Sequence, residues 1–536
     1  MTNHDISSIT PPPTSSRRVF IHRAGLGVIA VGSLPAFLAA CGSDAAKTST
    51  SGGTSASTIK PGGTLVGALT GEPDTLDPAT SAIYTGAQVY DNIFSKLVDI
   101  DTDGSFYGVL ATKWTAADPT TWVFDLVTNA KFHNGELLTP DDVVFTFQRI
   151  LDPATASPYS GLFDSIDTVT KSGAAQVTFK LKTPFGPFLT NLANNGQIVN
   201  KKAISAGDPS RNPVGTGPFK FVEWVQGQKL TLAKNPDYFI TGKPAFDKVE
   251  MRFLLVDQGR IDGLRSGELQ WVDAVPLSQL KALSGGSEFT YVSSPTAGIP
   301  DFLAMNVTVA PFDKLEVRQA IAWALDRKAI RDVAYFGAGE VGLAEVPSGS
   351  AWYDGGDVFA GGPNLDKAKA LLKTAGVGDL TIKYLGLPQY PELLKTGEVV
   401  RDQLKKIGIT MDIEQVDVSV WFDRYTKGDY QITSAYQERS VDPDNFYSLV
   451  IKTGAGANSM KYSNTDLDAK IDAARQETDE AKRKGMYAVI RKIVQDDAPL
   501  IFVHYETLNY LMSKKVTGST VNPTLGIRLD KMGFAS

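Results

Sequence analysis

Two hydrophobic periods alternate along this chain from one end of its folded part to the other. Apolar residues recur at every second position in Trp122, Phe124 and Leu126, in Val177, Phe179 and Leu181, and in Val249, Met251, Phe253 and Leu255. Side chains of a strand point alternately to opposite faces, so each run predicts a strand with one buried face. Met486, Val489, Ile490, Ile493 and Val494 follow the i, i+3, i+4, i+7, i+8 spacing of an amphipathic helix that stops before Pro499. Thr139-Pro140-Asp141-Asp142 offers an N-cap, a proline at the first helical position and a returning carboxylate, ahead of Val143, Val144 and Phe147. A helix through Val400, Leu404 and Ile407 runs straight into the strand-like GITMDIEQV. Strands and helices mixed in this way, without an internal repeat, predict an α/β body.

The chain has 536 residues, of which 42% are hydrophobic and 21% charged, enough for ample core. Its length corresponds to about three domains. A net charge of −6 provides no basic field for nucleic acid.

The single cysteine, Cys41, lies in LPAFLAACGS. One thiol forms no internal disulfide and supplies at most one metal ligand. Upstream stand Arg17-Arg18, then Val19-Phe20, then an uncharged Gly- and Ala-rich run from Ala24 to Ala40. Basic, apolar and small residues in that order are the anatomy of an export signal, and the apolar run is short for a membrane span. Arg17-Arg18-x-Phe20 resembles the twin-arginine signal, with His22 where Lys is usual, and Leu38-Ala39-Ala40-Cys41 resembles a bacterial lipobox. That resemblance implies a diacylglyceryl group on Cys41. Two acyl chains, at about 0.8 kcal/mol per buried CH₂, give stable anchoring. The Ser/Thr/Gly-rich stretch after Cys41 reads as a flexible tether, so the folded body begins near Gly62. No later apolar stretch is long enough to span a bilayer.

Chemistry is thinly supplied. His133 and His504 are the only histidines beyond the signal, and without a further thiol a thiolate-rich zinc site and a Cys nucleophile are excluded. GAGEVG (337–342) fits a dinucleotide pattern, but a helical stretch (Arg331 to Tyr335) precedes it and Glu345-Val346-Pro347 follows, so the strand and helix it needs are missing. DIDTDG (99–104) opens like a calcium loop but carries Leu110 at the twelfth position, and reads as a polar turn between strands. SQLK (278–281) and two KTG triplets occur without S-D-N, and G-x-S-x-G is absent. No catalytic residue, metal site or cofactor is expected.

Five long motifs in order resemble the family 5 extracytoplasmic solute-binding proteins, the peptide- and nickel-type binding components of ABC importers. They are GGTLVGALTGEPDTLDP, LATKWTAADPTTWVFDLVTNAKFHNGELLTPDDVVFTFQRI, PVGTGPFKFVEW, PFDKLEVRQAIAWALDRKAI and YSNTDLDAKIDAARQETDEAKRKGMYAVIRKIVQDDAPLI. The resemblance implies a two-lobed periplasmic-binding-protein fold, type II-like, of the large cluster with an extra subdomain inserted in lobe I. Residues 1–40 would be the signal, 41–61 lipidated Cys and linker, 62–303 lobe I with the insert at about 100–200, 304–503 lobe II, and 504–536 a return to lobe I. A two-strand hinge would lie near Phe302 and Phe502. His133 would be a turn or packing residue and His504 a hinge or core histidine.

The function so implied is capture of a peptide or other polar or anionic small molecule between the lobes and delivery to an ABC permease complex. The protein would be monomeric and lipid-anchored to the outer face of the cell membrane. A sensor that presents its closed form to a receptor is the alternative, and a surface hydrolase a more distant one. The resemblance places ligand contacts at Ser81 to Tyr84, at Ala297 to Phe302 with Asp301 and Phe302, around Trp421, and at Tyr436 to Asp442 with Gln437 and Arg439. For Trp421 a packed core position is the competing reading.

Family peptide binders carry W-x-x-D shortly before an Asp-Pro pair, and that Asp holds the peptide ammonium. Here YQERSVDPD puts Tyr436 for the Trp and Arg439 for the Asp, with Asp442-Pro443 in register. At ~4 Å and an effective dielectric of ~20, about 4 kcal/mol of attraction becomes a similar repulsion. Glu438 could supply the missing charge, Arg439 could pair with Asp442, or Arg439 could stay solvated at the rim. If Arg439 faces the ligand, it suits a carboxylate, a phosphate or a sugar hydroxyl pair rather than a free amine. As for the anchor, Cys41→Ser should move the protein from the membrane to the soluble fraction on cell fractionation, and unchanged retention would refute it.

Overall fold

The computed structural model describes residues 59–536, apart from 82, 438–440, 522 and 525. The export signal, Cys41 and most of the tether lie outside the described residues, as does Arg439. One sheet of 11 strands runs through the molecule. From one edge its order is Ile409–Gln415, Leu380–Gly386, Ile432–Tyr436, Phe289–Met305 and Leu500–Ser513. It continues with Trp271–Val272, Thr64–Leu69, Lys248–Phe253, Lys229–Lys234 and Phe219–Val225. The short strand Glu340–Val341 adds beside Leu500–Ser513.

Two strands belong to both halves of this sheet. Phe289–Met305 and Leu500–Ser513 pair antiparallel from Phe289 opposite Ser513 to Ala304 opposite Leu500. The Met512 end also meets Trp271, and the Asp301–Met305 end meets Ile432–Tyr436. Their register shifts between Ser293 and Gly298 and again between Asp301 and Phe302. Extra residues on one strand leave local groups unpaired, bend the ladder and raise its twist. The sheet is therefore divided where these strands cross, and the body has two lobes of mixed α/β structure.

Each lobe has its own core. Leu65, Val249, Met251, Trp271, Tyr510 and Met512 pack in one. In the other, Leu303, Ile382, Val400, Ile432 and Val503 fill one side of the sheet, and Phe302, Ala435, Phe446, Tyr487 and Val494 the opposite side. A separate antiparallel sheet of four strands, Ala111–Asp118, Thr121–Leu126, Gln176–Leu181 and Ile166–Gly173, carries a third core. Phe147 of the helix Pro140–Leu151 meets Phe179 there edge to face, at 4.9 Å between ring centroids.

Alternation and capping locate these elements well. Thr121–Leu126 and Gln176–Leu181 are strands, and Asp142 Oδ2 accepts the Thr139 N–H at 3.0 Å where the helix starts. Two positions depart from the pattern. Leu255 is not part of its strand and is 73% exposed, because pairing ends with Phe253 opposite Leu69 and the next helix begins at Asp257. Val489 is 52% exposed on Glu480–Asp497, whose buried stripe runs instead through Tyr487, Ile490, Arg491 and Val494. The buried Arg491 turns that helix further than its aliphatic residues alone suggest.

Inside the core of the first of these lobes Gly67 faces Trp271 in parallel register, and a Cβ there would lie 2.1 Å from the indole ring. Gly67→Ala should cost about 1–3 kcal/mol through overpacking. A lower midpoint in chemical denaturation checks this, and an unchanged midpoint would contradict it.

Candidate functional site

Where the two long strands cross, Asp301 and His504 stand opposite each other. His504 is fully buried, with Nδ1 2.7 Å from Asp301 Oδ2 and Nε2 3.0 Å from the Ala338 carbonyl. A carbonyl only accepts, so Nε2–H donates to it, and a proton lies between Nδ1 and the carboxylate. Tyr335, closing the helix Arg327–Ala334, stacks on the imidazole at 3.6 Å with planes 15° apart. The glycines of GAGEVG belong to this packing. A Cβ on Gly339 would lie 2.4 Å from His504 Nε2, and one on Gly342 2.5 Å from His504 N. Those glycines let the loop approach the paired strands.

Above the pair opens a cavity of about 520 Å³ whose walls come from three sources. Thr70, Tyr84 and Asp273 belong to one lobe, Asp301 and Glu506 to the crossing strands, and Tyr390, Glu392 and Tyr436 to the other lobe. Tyr390 and Tyr436 lie 6.1 Å apart between ring centroids. Asp273 accepts the Thr70 N–H on both oxygens and the Thr70 hydroxyl on Oδ2, each at 3.0 Å. Burial nevertheless pushes its carboxyl up to about 6, with the Thr70 hydrogen bonds and then Arg260 pulling the other way. Burial also raises the Tyr84 and Tyr335 phenols well above their usual range, so both are neutral hydrogen-bonding groups. Arg260 is the cation of this wall, and it is engaged by Asp257 at 2.5 Å and the Leu254 carbonyl at 2.6 Å.

A second cavity, of about 460 Å³, lies between the inserted sheet's flank and the other lobe. Asn191, Asn194 and Asn195 come from the helix Phe188–Asn195, and Gln437, Ser448 and Arg475 face them. Arg475 links the two sides. It lies 3.7 Å from Asp164 and 3.6 Å from Asp444, its guanidinium covers the Phe185 ring, and its carbonyl accepts the Gly186 N–H at 2.8 Å.

The residues expected to touch ligand divide between cavity and core. Tyr84, Asp301 and Tyr436 line the first cavity, and Gln437 lines the second. Ser81 is fully buried and holds its loop, donating to Asp74 Oδ1 at 2.7 Å while its carbonyl accepts from the Tyr159 hydroxyl. Phe302 meets Phe446 edge to face at 5.8 Å inside the core. Trp421 takes the core alternative: it donates from Nε1 to Thr433 Oγ1 at 3.0 Å and stacks on Tyr425 at 4.6 Å. Asp442 is engaged by Arg483, 2.6 Å from each oxygen, and caps the short helix Pro443–Phe446. Arg439 lies outside the described residues. His133 accepts from Gly215 N–H and reaches the Gly217 carbonyl at 3.1 Å, a turn in which burial lowers its pKa to about 4. Asp273, Tyr390 and Glu506 also line the first cavity, and no local pattern in the sequence marks them.

Two lobes joined by crossing strands, with a cavity walled by both lobes and the strands themselves, define a binding protein that encloses a ligand. Residues 105–458 match the family model of the bacterial extracellular solute-binding proteins, family 5 Middle. The probable D,D-dipeptide-binding periplasmic protein DdpA of Escherichia coli K12 is 30% identical over 483 residues, covering 86% of this chain and 92% of that protein. Among solved structures, AgaA in complex with agropinic acid, from A. tumefaciens R10, is 30% identical with a TM-score of 0.74, covering 88% of this chain and 99% of its own. The substrate-binding protein CtaP of Listeria monocytogenes superposes with a TM-score of 0.81 at 26% identity, covering 89% and 100%. The chain belongs to the family 5 bacterial extracellular solute-binding proteins.

The Asp273 carboxyl yields a pH prediction. Its folded pKa lies above the unfolded value near 3.9, so the folded state holds the proton more tightly and stability falls as pH rises from about 4 through 6. The loss is on the order of 3 kcal/mol at most. Asp273→Asn keeps an acceptor for Thr70 and should gain stability over the native chain at pH 7 but not at pH 4. Melting temperatures at both values test this, and an equal difference at the two would contradict it.

Proposed function

We propose that this protein captures a polar solute between its two lobes and delivers it to an ABC importer, with the crossing strands as hinge. One observation carries the reading: a single cavity takes walls from both lobes and from the strands that connect them. A ligand bridging those walls favours the closed arrangement by its differential contacts, and the closed form is the shape a permease reads. Lobe I is assigned to 62–303 with its insert at about 100–200, lobe II to 304–503, and 504–536 to the return into lobe I. Tyr84, Asp301, Tyr436 and Gln437 are the ligand contacts of this proposal. Tyrosine joins a flat apolar face to a polar tip, which suits a cleft that accepts related solutes. Carboxylates outnumber cations around the first cavity, so the ligand group held there is uncharged or cationic. The protein acts as a monomer outside the cytoplasm, tethered through Cys41. Among the described residues no helix is long and apolar enough to cross a membrane.

Thermal-shift screening against di- to pentapeptides, sugars and organic acids, followed by small-angle scattering with any stabilising compound, tests the reading. The expected result is a raised melting temperature and a smaller radius of gyration, both lost in Tyr84→Ala/Tyr436→Ala. A stabilising compound that leaves the radius unchanged at saturation would overturn closure, and no stabilising compound at all would overturn solute capture.

A further inference from the structure

We infer that the Phe185–Gly186 turn is a latch by which the insert of lobe I holds the closed arrangement, with Gly186 the residue that lets the lobes meet; this rests on the solute-capture reading above. The two sides of the contact belong to different cores. Phe185 packs with Phe124 and Phe179 in the core of the inserted sheet. The helices Thr465–Gln476 and Glu480–Asp497 bury Ile471, Tyr487 and Val494 in the core of the opposite lobe. The turn docks where these two helices join. Gly186 N–H donates to the Arg475 carbonyl at 2.8 Å, and the Arg475 guanidinium lies 4.9 Å from the centroid of the Phe185 ring.

The end of the first helix explains why a peptide N–H is received there. Carbonyls of a last helical turn have no partner within the helix, and they form the negative end of its dipole. The Ala473 carbonyl accepts the Glu477 N–H at 3.1 Å and the Ala474 carbonyl accepts Arg483 Nε–H at 3.1 Å, both from the same lobe. The Arg475 carbonyl takes its donor from the other lobe. Close approach then requires glycine. A Cβ on Gly186 would lie 2.5 Å from the Glu477 carbonyl oxygen, 2.7 Å from Arg483 Nε and 3.0 Å from Arg483 Cδ, so its three nearest atoms all belong to the opposite lobe. Arg483 does not swing aside, because both Asp442 oxygens hold it at 2.6 Å. The φ of Gly186 is outside the left-handed region, so the insert by itself accepts a side chain at this position. Gly186 also lines neither of the two cavities described above. A side chain there therefore lowers the closed fraction while leaving the ligand contacts in place, and apparent affinity falls in proportion to that fraction for every ligand.

The test takes the compounds that stabilise the native full chain in a thermal-shift panel of di- to pentapeptides, sugars and organic acids, and titrates them calorimetrically into Gly186→Ala and Gly186→Val. Each compound is expected to bind about tenfold or more weakly, by the same factor across the panel, with the ligand-free denaturation midpoint unchanged. Asp164→Lys replaces an exposed carboxylate 3.7 Å from Arg475 with a cation, and serves if a glycine variant fails to fold. It should weaken binding in the same uniform way, less so at high salt. Unchanged affinity in all three variants would overturn the latch and leave solute capture standing. A lowered ligand-free midpoint with unchanged affinity would make Gly186 a merely structural glycine, and weakening confined to some compounds would make it a ligand contact; either overturns the inference. A panel in which nothing stabilises the native chain would overturn solute capture and the latch together.

Discussion

Everything in this molecule depends on the antiparallel pairing of Phe289–Met305 with Leu500–Ser513. These strands are the shared members of two half-sheets, so each lobe's core is built on one end of the same ladder. The register shifts between Ser293 and Gly298 and between Asp301 and Phe302 divide that ladder into segments, each regular within itself. A bend confined to such shifts changes the angle between lobes while the packed cores on either side stay intact, because close-packed interiors resist deformation. The Asp301–His504 pair sits at one of these shifts, with Tyr335 stacked over it and glycines letting the 337–342 loop come close. A buried polar group requires its hydrogen-bond partner, so this position keeps a defined side-chain arrangement.

The lobes behave as units for a related reason: their buried charges are paired internally. Arg491 reaches Glu345 through Nε at 3.0 Å and Nη2 at 2.6 Å, and Tyr447 donates to the same carboxylate at 2.7 Å. Arg483 clasps Asp442 across two elements of that lobe. Removing one member of such a pair strands the other in a low-dielectric interior, typically at 3–5 kcal/mol. This accounts for Asp442, which resembles a ligand residue in sequence but is spent on architecture. Between the lobes Arg475 links to Asp164 and Gly186.

Two cavities lie between the lobes. The first, over the hinge, is rich in tyrosine and carboxylate and includes Asp273, which burial leaves only partly ionised near pH 6. The second is lined by asparagines, with Arg475 between Asp164 and Asp444. Both histidines of the described body are engaged in packing: His504 is enclosed by Asp301, Ala338 and Tyr335, and His133 is held in a turn.

Local patterns by themselves determined the element types. Alternation fixes which face of Gln176–Leu181 is buried, and Thr139 through Asp142 marks a helix start, because these depend only on near neighbours in the chain. Long motifs in a set order also made the family legible. The site was legible only in part: Tyr84, Asp301, Tyr436 and Gln437 line cavities, whereas Ser81, Phe302 and Trp421 pack inward and Asp442 is held by Arg483. Nothing in SVWFDRY says whether its Trp faces a cleft or a core, since an indole suits both; the Thr433 hydroxyl that receives Nε1–H arrives from a separate strand. Asp273 and Glu506 lie 233 residues apart in number and meet only because the crossing strands bring them to one wall. Local chemistry chose the elements, and long-range packing chose which side chains face the ligand.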